Sequence, residues 1–250
     1  MTAPMRKTVP KSAMVLAAGL GKRMRPLTDT VPKPLVAVAG RTLLDRGLDM
    51  LAAAGVDRAV VNVHHLGGQI VEHLRTRTAP AVAISDESGR LLDSAGGIVA
   101  ALPRLGSEPF LVLNADTFWI EREGSDLERL ALAWDGARMD ILLMLAEPDN
   151  ATGHSGGADF LIGPDGRLAR ADSREGGGAK DGLIYAGVGI LHPRVFAGAK
   201  PEPHSLNLHF DRAIAAGRLH GLVMRGHWVT VGTPEAIPAA EAAVLRFSGS

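Results

Sequence analysis

The chain has 250 residues, 46% of them apolar and 22% charged, with 27 basic and 27 acidic side chains and no cysteine. That length suits one generous α/β domain, and the balanced charge argues against a dedicated nucleic-acid or membrane surface. The missing thiols exclude disulfides, thiolate metal sites and cysteine nucleophiles, and no stretch approaches the ~20 apolar residues that span a bilayer.

The chain opens on a basic MRKTVPKS followed by apolar AMVLAAGLG, which imitates a secretory leader. Its apolar part is short and runs straight into Lys22, Arg23 and Arg25, so a cytoplasmic location is expected. Residues 14–18 (MVLAA) predict a buried parallel strand that breaks at Gly19 into a glycine-bearing loop, with Arg23, Arg25 and Lys33 following. Glycines let backbone N–H groups crowd onto an anion, and cations so spaced cover phosphates from several sides. A loop of this kind after the first strand of an open α/β sheet predicts a nucleoside-triphosphate site.

Residues 42–54 predict a helix stopped by Gly55, 58–63 (RAVVNV) a strand, 69–74 a short helix and 82–85 a strand. A helix over 95–102 is expected to end before Pro103, and a strand over 110–113 (FLVL) to run into Asn114-Ala115-Asp116. Residues 126–134 predict a helix and 140–146 (DILLMLA) a strand. This alternation predicts an α/β fold with a doubly wound, mainly parallel sheet.

The texture changes near residue 147. The turn GPDG at 163–166, between two short apolar runs, predicts a hairpin, and 173–182 (SREGGGAKDG) a flexible loop. Residues 183–191 predict a strand closed by Pro193, 206–215 a helix, and 219–224 and 228–231 short strands. Thr233 as N-cap and Pro234 as first helical residue predict a final helix reaching about Phe247. Without repeats or a long linker, one domain with a C-terminal elaboration is expected.

The first loop carries neither a G-x-x-x-x-G-K-[ST] run nor a third glycine after Gly19-Leu20-Gly21, which excludes an ordinary P-loop and a dinucleotide fingerprint. The pattern L-A-A-G-x-G-x-R-M-x-P-L-T, with VPKPL at 31–35, resembles the signature of sugar-1-phosphate nucleotidyltransferases. The resemblance continues through AAAGVDRAVVNVHHLGGQI, LLDSAGGIVAALPRLG, PFLVLNADTFW, YAGVGILHP and GHWVTVGTPEAI, and is closest to the short bacterial N-acetylmuramate-1-phosphate uridylyltransferases. It implies a Rossmann-like nucleotidyltransferase fold, with about 12–146 binding the nucleotide and about 147–250 facing the sugar. It also implies an enzyme that joins UTP to N-acetylmuramate-1-phosphate with Mg2+, releases pyrophosphate and serves cell-wall sugar recycling.

By the same resemblance Arg23 and Lys33 are the catalytic cations. Leu16, Ala17, Ala18, Gly19, Gly21, Lys22 and Arg23 hold the triphosphate, and Ser94 and Gly96 lie close to the nucleotide. Asn114, Tyr185, Gly187 and Asn207 meet the sugar, while Asp116 and Thr230 hold the metal. The chemistry suits these residue types. A sugar-1-phosphate oxygen is already ionised near neutral pH, so the enzyme must align two anions and neutralise charge rather than supply a base. An arginine fork fits the β- and γ-phosphates; a lysine fits a point contact on the transferred or attacking phosphate. Magnesium takes most of its ligands from phosphate and water, so one or two protein ligands suffice.

Several positions allow a second reading. Asp116 also fits a turn or N-cap, Tyr185 and Gly187 fit strand packing, and Asn207 with Asp211 fit a solvated helix face at i, i+4 spacing. His64 and His65 lack a third ligand at suitable spacing, which favours a surface or supporting role over a metal. Ser94 and Ala95 depart from the Thr-Gly-Gly-Gly common in the family, and base selection is expected near 86–88. Thr230 replaces an aspartate frequent in Trp-x-Asp-x-Gly-Thr, which predicts weaker metal binding. Alternatives are a mannose-1-phosphate guanylyltransferase, another sugar-1-phosphate nucleotidyltransferase, or a non-catalytic nucleotide-sugar sensor. A monomer or small homo-oligomer is expected, with no nucleic-acid or membrane partner.

Overall fold

The computed structural model describes residues 8–171 and 182–247. Seven strands build its central sheet: β1 (Ser12–Leu16), β2 (Arg58–Val63), β3 (Ala81–Asp86), β4 (Phe110–Asn114), β5 (Ile141–Ala146), β6 (Ile184–Leu191) and β7 (Leu219–Val223). Their order across the sheet is β7-β5-β6-β4-β1-β2-β3. All neighbours are parallel except β6, which runs antiparallel to both β4 and β5.

The near-continuous apolar runs reflect burial on both faces. Successive residues divide between two cores. Ala13, Val15, Leu111, Leu113, Leu142 and Met144 face α1 (Leu43–Ala53), α2 (Gly67–Leu74) and α4 (Asp126–Ala133). Met14, Phe110, Val112, Ile141, Leu143 and Leu145 face α3 (Asp93–Leu105) and α5 (Asn207–Ala215). A third, smaller core gathers Met24, Val38, Phe118, Val229 and Val231 under α6 (Ala236–Phe247). The architecture is therefore three-layered, α/β/α, as the alternating pattern predicts.

Four boundaries differ from expectation. β1 ends at Leu16, because the Ala17 N–H turns away from the ladder to the Asn62 side chain. Helix α3 continues through Pro103 to Leu105. In the last turn a proline removes a single backbone donor, and the helix closes on Gly106, φ 91°, whose N–H donates to Leu102 O. Residues 117–120, for which no strand is expected, pair as Thr117–Ile120 with His227–Thr230, whose other edge takes Ala151–Thr152. Helix α6 begins at Ala236, and Thr233 instead accepts in a preceding turn, Ala236 N–H to Thr233 O at 3.1 Å. The expected hairpin is present as Phe160–Ile162 against Leu168–Arg170. The expected loop at 173–182 lies, apart from Gly182, outside the described residues.

The chain leaves β1 towards β2 and β3, then crosses back through α3 to β4 on the other side of β1. That reversal opens a crevice beyond the carboxyl ends of β1 and β4, where ligands of open α/β sheets bind. No described helix is long and apolar enough to cross a membrane.

Candidate active site

A cavity of about 480 Å³ occupies this crevice. Its floor is Leu16, Ala17, Ala18 and Gly19 from the end of β1 and Asn114, Ala115 and Asp116 from the end of β4. Lys33 and Pro34 close one side; Leu91, Asp93, Ser94 and Pro203 close the other. Ala115 N–H donates to Leu16 O at 3.1 Å, carrying the β1–β4 pairing one residue beyond the strands. This holds Asp116 beside the glycine loop.

The loop folds into three one-turn 3-10 helices, Lys22–Met24, Leu27–Asp29 and Lys33–Leu35. Met24 is buried and anchors the first turn in the third core. Gly21 takes φ 60°, and a Cβ there would lie 2.9 Å from the Thr28 side chain, so the fold-back requires glycine. Thr28 Oγ1 donates to Gly21 O at 2.9 Å and locks the turn. Among the described residues the N–H groups of 18–23 have no protein acceptor, and Ala18 and Gly19 of this run line the cavity, so donors are on hand there for an anion.

Pro32 and Pro34 flank Lys33 and fix its backbone. Its Nζ reaches Asp116 Oδ2 at 2.6 Å, with the lysine side chain 12% and the aspartate 36% exposed. Arg23 is exposed and lies outside the cavity lining; its guanidinium lies 3.7–3.9 Å from where a side chain on Gly232 would start, so that glycine leaves it room. Thr230 stands opposite Thr117 in the small sheet, and Val231 N–H donates to Asp116 O at 3.2 Å. Thr230 is therefore a neighbour of Asp116. The donors here are hard oxygens, and Asp116 Oδ1 takes no hydrogen bond among the described residues, a set that fits a small divalent cation. The described residues contain no cluster of three or more His, Asp or Glu able to hold a metal alone.

The remaining expected site residues are less uniformly placed. Ser94 lines the cavity, and its Oγ accepts the Leu206 N–H at 2.8 Å. Gly96 is buried behind it, its Cα pressed so closely against Glu202 O that any side chain would overlap that carbonyl. Gly187, φ 76°, packs under Asn114, where a Cβ would come within 3.1 Å of the amide. Tyr185 lies two residues earlier in β6, edge-on to Phe210 at 5.6 Å. Its hydroxyl is buried without a hydrogen-bond partner; burial and then the nearby Asp159 carboxylate push its pKa up. Asn207 and Asp211 both hold Arg170, at 3.0 and 2.8 Å, and lie outside the cavity lining.

His64 and His65 diverge. His64 Nδ1 contacts Glu87 O at 2.7 Å and His65 Nε2 contacts Thr28 O at 2.8 Å. A carbonyl only accepts, so both rings donate and brace loops. The sequence reading misses Asn62, Leu91, Asp93 and Pro203 in the cavity wall. Asn62 alone had a signal, a carboxamide inside the β-branched run RAVVNV.

An open α/β sheet with a glycine loop, two cations and an aspartate at its switch point defines a nucleotide-binding enzyme of the phosphate-transferring kind. The description "MobA-like NTP transferase domain" matches residues 13–188. The N-acetylmuramate alpha-1-phosphate uridylyltransferase of Caulobacter vibrioides is 45% identical over 93% of this chain and 96% of its own. That of Neisseria meningitidis is 36% identical over 92% and 96%. The inositol-1-phosphate CTP transferase from T. maritima shares the fold, with a TM-score of 0.72 at 20% identity over 94% of this chain and 98% of its own. The chain belongs to the MobA-like NTP transferase family and is a nucleotidyltransferase.

Proposed function

We propose that the protein joins UTP to N-acetylmuramate-1-phosphate, forming UDP-N-acetylmuramate and pyrophosphate, and so serves cell-wall sugar recycling in the cytoplasm. Support comes from the two uridylyltransferases that match over nearly their whole length. The geometric observation that carries the reading is Lys33 Nζ and Asp116 paired at 2.6 Å in the lining of the β1–β4 cavity. On this reading residues 12–146 hold the nucleotide and 147–250 face the sugar in one domain, active as a monomer or small homo-oligomer.

The triphosphate lies against the free N–H groups of 18–23, under Lys22 and Arg23. Lys33 draws the phosphate of the incoming sugar towards the α-phosphorus. A sugar-phosphate oxygen forms the new bond to that phosphorus as the bond to the β-phosphate oxygen breaks, and the electron pair leaves with pyrophosphate. Arg23 neutralises the charge gathering on the leaving group. Asp116, with Thr230 beside it, would hold Mg2+, which when bound offsets phosphate charge. Asn114, Gly187 and Tyr185 receive the sugar.

Thr230 lends no negative charge, so Thr230→Asp is expected to lower the magnesium concentration for half-maximal rate by about threefold or more. An unchanged magnesium titration would remove Thr230 from the metal's surroundings. The function itself is tested by pyrophosphate release across four nucleoside triphosphates and a panel of sugar-1-phosphates. UTP with N-acetylmuramate-1-phosphate is expected to give the highest kcat/KM; a preference for another pair would overturn this assignment.

A further inference from the structure

Asn62 is the penultimate residue of strand β2, lines the cavity and is 2% exposed, and Glu87, just after β3, is 3% exposed. Asn62 Oδ1 accepts the Ala17 N–H at 2.7 Å, and its Nδ2 donates to Glu87 Oε1 at 2.7 Å. Glu87 Oε2 accepts the Leu92 N–H at 2.9 Å. The Asn62 amide orientation follows from these partners: reversed, it would set NH2 against the Ala17 N–H and an oxygen against a carboxylate. Gly97 seals the pair, since a Cβ there would lie 2.6 Å from Glu87 Oε1 and 2.8 Å from Asn62 Nδ2.

Three links thus run without a gap from the start of the glycine loop to the segment that leads into α3. Those are the floor and one wall of the cavity. Glu87 falls within the stretch where base selection is expected from sequence, yet its carboxylate is buried and lies outside the lining of the site cavity.

We propose that Asn62 and Glu87 are positioning residues that fix the span between the phosphate loop and the wall at the start of α3, and thereby set nucleotide affinity while leaving sugar-phosphate affinity alone. The proposal rests on the reading that residues 18–23 hold the triphosphate. Without the Asn62 oxygen the Ala17 N–H is a buried donor with no acceptor, and the chain must rotate there to satisfy it. That rotation carries the free N–H groups of the next residues with it.

The donor count makes a stringent test. An ionised carboxylate accepts at both oxygens, whereas glutamine accepts at one, so Glu87→Gln leaves either Asn62 or Leu92 facing an NH2 group. Asn62→Asp sets two carboxylates against each other. The exchange Asn62→Asp/Glu87→Gln restores every link: one Asp oxygen accepts from Ala17, the other from the Gln NH2, and the Gln oxygen accepts from Leu92.

UTP binding is measured by calorimetry and KM for both substrates by steady-state kinetics, on the wild type, each single variant and the exchange. Each single variant is expected to weaken UTP binding about tenfold or more, with KM for the sugar phosphate within about twofold of wild type and the exchange within about threefold of it in UTP affinity. Single variants that bind UTP as the wild type does, or that raise both KM values alike, would overturn the proposal. An exchange no better than the singles would also overturn it, and it decides the matter if a single variant unfolds. Wild-type UTP affinity reports on the proposed function and the variant ratios on the network, so the two fail separately.

Discussion

Lys33→Ala is expected to lower kcat/KM by about 10²–10³-fold, most of it in kcat. The lysine side chain is only 12% exposed and reaches from a proline-fixed backbone to Asp116 in the cavity lining, so little solvent screens its charge. Its preorganisation is what the reaction uses: the charge is already in place when two anions are brought together. Lys33→Arg should not restore the rate, because a planar guanidinium cannot replace a point charge in that space. Asp116 is 36% exposed and can be hydrated when its partner is gone, so the variant should unfold near the wild-type temperature. Steady-state kinetics with both substrates and a thermal melt check both halves. A Lys33→Ala enzyme within a few-fold of wild type would remove the lysine from the mechanism.

Arg23→Ala is expected to cost about 10²–10³-fold in kcat, with a thermal stability change inside ~0.5 kcal/mol. Arg23 is exposed, and the structure gives it no hydrogen bond or ion pair among the described residues. Its one distinct setting is the open space over Gly232. An exposed, unpaired guanidinium on the glycine loop suits a charge that appears only during the reaction, on departing pyrophosphate. Arg23→Lys should recover part of the loss, since charge survives and the bidentate fork does not. Single-turnover rates separate this from slow product release. If Arg23→Ala raised KM for UTP and left kcat untouched, the arginine would be a binding group only.

Much of the fold was legible because its strands are buried on both faces and its helices on one. The runs at β1, β4 and β5 are mainly apolar and that at β2 is broken only by Asn62, and α1 is bounded by Thr42, whose Oγ1 accepts from Asp45 N–H at 3.0 Å. Direction was not legible: β6 reads like its parallel neighbours, and only its pairing with β4 and β5 reverses it. The strand Thr117–Ile120 was hidden because it pairs with residues more than a hundred positions away. Pro103 misled for a local reason, since a proline near a helix end costs far less than one in its middle.

The site was legible where its residues are contiguous. The glycine loop, the lysine between two prolines and the aspartate after β4 do converge on one cavity. Residues that act through others were not. Asn62 and Glu87 are distant in sequence and buried, and only the fold reveals that they share a hydrogen bond. Asn207 and Asp211 lie on one helical face as their spacing suggests, but that face is taken by Arg170, from a hairpin strand that only the fold brings there.

The central claim is that two polyanions are held together at the carboxyl ends of β1 and β4. A crystal structure with UTP, Mg2+ and the sugar phosphate tests it most directly. The claim predicts the triphosphate against the N–H groups of 18–23, the metal on Asp116, and Lys33 Nζ moved from the carboxylate onto phosphate. Nucleotide bound elsewhere, with that crevice empty or Asp116 still occupied only by Lys33, would contradict it.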